Sequence, residues 1–100
     1  ALQIGRMDVP PANDDEWNKW YSGVYVPNYE KAPGCNFARR WRAVKGEPQY
    51  AVVYEFENEN VSESPEWMKQ RDIHPDNGRM RDIMTHAAGS PGIWKKTFQL

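Results

Sequence analysis

Apolar residues recur along this chain at two spacings, and the switches between them mark out its elements. Trp17, Trp20, Tyr21, Val24 and Tyr25 follow i, i+3, i+4, i+7, i+8, the spacing of one face of an α-helix. Just before that stripe, Asn13 with Glu16 three residues on resembles a capping box. Asp14, Asp15 and Glu16 also set negative charge on the positive end of the helix dipole. Pro27 has no N–H to bond Gly23 and its ring meets that carbonyl, so the regular helix is expected to end or kink near Val26. A second short turn over 28–32 then precedes the Pro33-Gly34 break.

Strand-like alternation flanks and follows this helix. Leu2, Ile4 and Arg6 alternate with Gln3 and Gly5, giving a first strand over 1–7 that Pro10 and Pro11 prevent from continuing. Over 35–44, Cys35, Phe37, Arg39, Trp41 and Ala43 share one face, and Asn36, Ala38, Arg40, Arg42 and Val44 the other. The turn Lys45-Gly46-Glu47-Pro48 makes this one arm of a hairpin whose partner is 50–57. In that partner Tyr50, Val52, Tyr54 and Phe56 share a face while Ala51 and Val53 leave the opposite face apolar too, the mark of a strand covered on both sides.

A polar connection over 58–63 leads to Ser64-Pro65-Glu66, an N-cap with proline at the first helical position, and a short helix running to about Gln70. A break over 72–78 separates it from a second helical stripe, Met80, Ile83, Met84, Ala87 and Ala88, for which Gly89 is the expected C-terminal cap. Ser90-Pro91-Gly92 turns into a last strand over 93–100, with Trp94, Phe98 and Leu100 on one face. The order is βαββαβ, a ferredoxin-like α+β arrangement in which two helical regions cover one face of a four-stranded antiparallel sheet. The apolar second face of 50–57 then calls for a cover, and a second copy in a C2 homodimer is the expected one.

Composition narrows this picture. One hundred residues make one domain, 1–100, and 13 basic against 14 acidic residues give no net field to attract nucleic acid or an anionic membrane. A lone Cys35 excludes an internal disulfide, and with only His74 and His86 beside it no metal-ligand spacing arises. No apolar run approaches the ~20 residues of a membrane span, and the first residues lack the basic and apolar regions of a signal peptide. The expected location is the cytoplasm.

Few residues in this sequence are suited to chemistry. His74 sits in the loop that breaks the second helical region, where it either moves a proton or caps a turn. His86 falls on the polar side of the second stripe, near Asp82, and reads as a surface residue. Tyr25 closes the first stripe beside Pro27, so its hydroxyl serves either as an oxyanion donor or as a plain core group. Trp17, Trp20, Tyr21, Tyr54, Met80 and Met84 are candidate walls of a pocket between helices and sheet, or simply core. Arg40, on the same strand face as Arg42, is the candidate anchor for a substrate carboxylate, against the alternative of a solvated edge-strand arginine. Strand 50–57 lacks the Lys/Arg-Gly-aromatic pattern of an RNA-recognition module, so no nucleic-acid partner is expected.

The segment Trp17-Asn18-Lys19-Trp20-Tyr21, the Val26-Pro27 step, Pro33-Gly34 leading into Ala38-Arg39-Arg40-Trp41-Arg42-Ala43, and His74-Pro75 together resemble the dimeric α/β-barrel superfamily and, within it, EthD-like proteins. The resemblance implies two monomers packed sheet against sheet, each with a ligand cavity between its sheet and helices. It also implies cofactor-independent chemistry of the lyase or isomerase type, by proton transfer, decarboxylation or cyclisation of an aromatic or polyketide-like acid. Monooxygenase, haem-binding and non-catalytic ligand-binding relatives are the alternatives it carries. EthD-like sequences commonly place a histidine two residues before the proline that ends the first helix, where this chain has Tyr25. That substitution moves the expected proton-transfer role to His74, with Tyr25 as hydrogen-bond donor and no cofactor.

Overall fold

The computed structural model describes residues 1–97. Its frame is an antiparallel sheet of β1 (Leu2–Asp8), β2 (Cys35–Arg42), β3 (Tyr50–Phe56), β4 (Thr85–His86) and β5 (Gly92–Trp94). The order is β2-β3-β1-β4, with β5 also on β1. β4 pairs with Met7 and Asp8, and β5 with Leu2, Gln3 and Ile4, so the two segments lie end to end along one edge of β1. Between them the Ala87 N–H donates to the Arg6 carbonyl, and the Arg6 N–H finds Ser90 Oγ at 2.7 Å. The last strand therefore starts earlier than expected, at Thr85, and is interrupted. Phe98 and Leu100, expected on it, lie outside the described residues.

The register assigns the faces. Met7 opposes Tyr50, Gly5 opposes Val52 and Gln3 opposes Tyr54, while Arg42, Arg40 and Ala38 oppose the same three residues from β2. Opposed residues share a face, so this set looks toward the helices, and Tyr50, Val52, Tyr54 and Phe56 are buried there as expected. Leu2, Ile4, Ala51, Val53, Phe37 and Trp41 fall on the outer face. In the first strand it is therefore Gly5 and Met7, not Leu2 and Ile4, that enter the core.

The first helical region differs from expectation at both ends. Asn13 makes no side-chain cap; a 3-10 turn over Pro11–Asn13 precedes the helix instead, with Asp14, Asp15 and Glu16 in its first turn. α1 (Asp14–Trp20) passes into a π-helical turn (Tyr21–Tyr25) and then into α2 (Val26–Glu30), which carries Pro27 in its first turn. The helix does not end at Val26. The wider turn absorbs the residue whose N–H is missing, and a proline in the first turn of the following segment removes a donor that has no partner there. Gly34 then turns the chain into β2 at φ +88°, with Val61 packed so closely that an added Cβ would lie 2.6 Å from its Cγ2.

α3 (Pro65–Lys69) begins as read from the sequence, with Ser64 Oγ accepting the Trp67 N–H at 3.1 Å. α4 (Asn77–Ile83) stops at Met84, whose backbone is already extended. The expected continuation through Ala88 is overridden because Thr85 and His86 pair with β1. Gly89, at φ +77°, serves the turn between the edge segments instead of a helix cap. The core between sheet and helices is a continuous aromatic stack: Trp17 on Tyr21, Trp20 on Tyr25, Tyr25 edge-on to Tyr29, and Tyr29 on Trp67. No helix among the described residues is long and apolar enough to cross a membrane.

Candidate functional site

A cavity of about 580 Å³ opens between the sheet and the helices. β1 and β3 give its floor through Gln3, Gly5, Met7, Val52 and Tyr54. The π turn and α2 give one wall, Tyr21, Tyr25 and Tyr29; Trp67, Met68, Arg71, Arg81 and Met84 give the facing one; and His86, Pro91 and Ile93 close the edge. Gly5 matters here because a Cβ at that position would stand 3.2 Å from both Met7 Cε and Val52 Cγ1, filling the floor.

The π turn and α2 together present the first wall: Tyr21, Tyr25 and Tyr29, four residues apart, all lie on the buried side. The Tyr25 and Tyr29 hydroxyls meet at 3.3 Å. Burial pushes the Tyr21, Tyr29 and Tyr54 phenols well above their usual range, reinforced at Tyr29 by its hydrogen bond to Tyr25. They are neutral donors at any physiological pH.

The facing wall is fixed by a polar hub. Asn77, fully buried, accepts the Trp20 indole N–H at 2.9 Å and donates to the carbonyls of Gln70 and Arg71 at 3.3 and 3.1 Å. Arg81 donates to the same Arg71 carbonyl and, at 2.9 Å, to Asp72. Its burial would lower the guanidinium, but the hydrogen bond to Asp72 and the adjacent Tyr25 hydroxyl outweigh that and raise it. A permanently charged group thus stands next to the Tyr25 phenol.

The structure brings Tyr21, Tyr25, Tyr54 and Met84 of the expected site residues to the cavity. Trp17, Trp20 and Met80 are buried in the core behind it. Arg40 is not in the lining: it bonds Ser22 Oγ and, at 2.8 Å, Asn18 Oδ1, and lies over the rings of Trp17, Tyr21 and Tyr50. There it ties β2 to α1, and burial lowers its pKa. His74 is also outside the lining; its Nδ1 accepts the Asp76 N–H at 3.2 Å, and 39% of its side chain is exposed, as in a turn-capping residue.

His86 is the histidine that lines the cavity. Its Nδ1 lies 3.2 Å from Ser90 Oγ, and burial lowers its pKa below 6.5, leaving it neutral at pH 7. The residue is exposed, as a helical reading through Ala88 also expects, but its pairing with Met7 turns it to the cavity side. Arg71, Arg81, Tyr29 and Trp67 are further lining residues not singled out from the sequence. Tyr29 and Trp67 had a usable signal, since each falls beside a helix start or a proline stop.

No protein-family model and no curated protein matches the chain. Solved structures do. A point mutant of SnoaB, a cofactor-independent oxygenase from Streptomyces nogalater, is 13% identical, with a TM-score of 0.68 over 99% of this chain and 94% of that one. The haem-degrader MhuD from Mycobacterium tuberculosis, with two haems bound in its active site, is 25% identical, with a TM-score of 0.58 over 76% of this chain and 80% of that one. An EthD family protein from Bacillus halodurans is 13% identical, with a TM-score of 0.57 over 86% and 93%. The chain has the ferredoxin-like α+β fold that these structures share.

Proposed function

We propose that the chain is a cofactor-independent enzyme of the lyase or isomerase type that abstracts a proton from an aromatic or polyketide-like substrate. The observation that carries this reading is that His86 and Tyr25 open into one aromatic cavity. Neutral His86 takes a proton from an acidic carbon; the C–H electron pair moves into the substrate as an enolate, and the oxygen gains the charge. The Tyr25 hydroxyl, beside the cationic Arg81, donates a hydrogen bond to that oxygen. Protonated His86 then returns its proton to another atom of the substrate, completing an isomerisation or cyclisation. Residues 1–100 act in this reading as one domain of a cytoplasmic homodimer, the outer sheet face of each copy covering the other.

The test uses a screen of hydroxylated aromatic ketones and keto acids. Once a substrate is found, His86→Ala should lower kcat by about 100-fold or more and Tyr25→Phe by about ten-fold or more. Turnover at wild-type rate in both variants would falsify the assignment.

A second reading, a monooxygenase, is favoured by the near full-length likeness to SnoaB. Here the same enolate is itself the oxygen-reactive centre, and dioxygen turns a methylene into a carbonyl with release of water. Turnover that stops under anaerobic conditions selects it. A Soret band on adding haem points instead to a haem-binding relative such as MhuD.

A further inference from the structure

The cavity has a charge bias that the whole chain lacks. Acidic residues exceed basic ones by one across the sequence, 14 against 13. Among the described residues the lining nevertheless contains Arg71 and Arg81 and no aspartate or glutamate. Arg81 is fixed in place, 18% exposed and paired with Asp72, whose carboxylate lies outside the lining. Arg71 differs: its carbonyl is held by Asn77 and Arg81, which anchors the segment, while its guanidinium makes no ion pair among the described residues. The two arginines therefore bring one uncompensated positive charge to the exposed end of a cavity whose interior is flat rings. The buried phenols of Tyr21, Tyr29 and Tyr54 around it, pushed up by burial, are donors and do not compete as anions.

We infer that the cavity selects a planar aromatic carboxylate, its ring against the wall of Tyr25, Tyr29 and Trp67 and its carboxylate on the free guanidinium of Arg71. A guanidinium forks onto a carboxylate with two parallel hydrogen bonds, which sets orientation as well as charge. With the acid held at the open end, the ring is directed inward toward the Tyr25–Tyr29 pair. The inference rests on the cavity of the proposed function and deepens it, but binding alone tests it.

The probes are 2-naphthoate and 2-naphthamide, which share a ring and differ in charge, followed by quenching of tryptophan fluorescence. The naphthoate is expected to bind about ten-fold tighter than the amide. Arg71→Gln should remove that advantage and leave amide binding within about two-fold, while Arg71→Lys should keep part of it. Raising salt from about 50 to about 500 mM should weaken the naphthoate alone. Arg71 is exposed, so its variants should melt with the wild type, and circular dichroism checks this. Equal affinity for both probes, or an Arg71→Gln protein that keeps the preference, overturns the assignment and leaves the His86 reading standing. If neither probe binds, the aromatic-acid inference and the cavity it rests on both fall.

Discussion

His86 shows how one residue changes meaning with its backbone. On a helix it would stand clear of the cavity; on the strand beside Met7 it stands exposed at the cavity edge, where partial burial lowers its pKa. The folded chain thus binds this proton less readily than the unfolded one, so the unfolded state takes up more protons as the pH falls below 6.5. Its contribution to stability is fully present above that value and is lost as the pH drops through the lowered folded pKa. Melting temperatures of wild type and His86→Gln should therefore run parallel above pH 7 and converge or cross below pH 6 as the wild type alone pays this penalty. Trp17, fully buried and stacked on Tyr21 at 4.5 Å, belongs to a different class. Trp17→Ala should cost about 3–5 kcal/mol in denaturant unfolding, through lost transfer energy and a cavity that rigid neighbours do not fill. Its aromatic stripe was legible in the sequence. The identity of the cavity histidine was not, because it depends on a long-range strand pairing.

Among the elements, local chemistry was read best where side chain and backbone act within a few residues. Ser64-Pro65 began α3, and the alternation of 50–57 became the buried Tyr50, Val52, Tyr54 and Phe56. It was read worst where a distant partner decides, as when pairing of Thr85 with Asp8 ended α4 despite the continuing stripe of Ala87 and Ala88. Asn77 is a similar case: its sequence context is a polar loop, but its amide joins α1 to the α3–α4 segment. Replacing it by alanine strands the Trp20 N–H and takes a donor from the Gln70 and Arg71 carbonyls, and should cost about 2–4 kcal/mol while loosening the wall that carries Arg71 and Arg81. Equilibrium unfolding gives the first number, and proteolysis within 70–81 the second effect. Gly34→Ala should destabilise by about 1–3 kcal/mol, since it meets both a left-handed φ and the Val61 side chain.

At the scale of the molecule, the sheet formed by the described residues has one face under helices and, among those residues, one bare. Trp41 and Trp94 remain 60% and 62% exposed on the bare side, beside Leu2, Ile4, Ala51 and Val53. An apolar sheet face of this kind is normally covered. Trp41→Lys should therefore shift the sedimentation coefficient from dimer to monomer at micromolar concentration, and a wild-type monomer under the same conditions would remove the need for a partner. The overall βαββαβ order was legible because each element announces its own period; the division of the last strand into two pieces, and a helix that runs through Pro27, were not. The π turn that allows this has a consequence for chain length. It stores one residue beyond what an α-helical path over Tyr21–Tyr25 requires. Deleting that residue, at Gly23, would let the turn close into an α-helix while the segments before and after it keep their facing. A single-codon deletion there is thus a change of length that the fold can absorb.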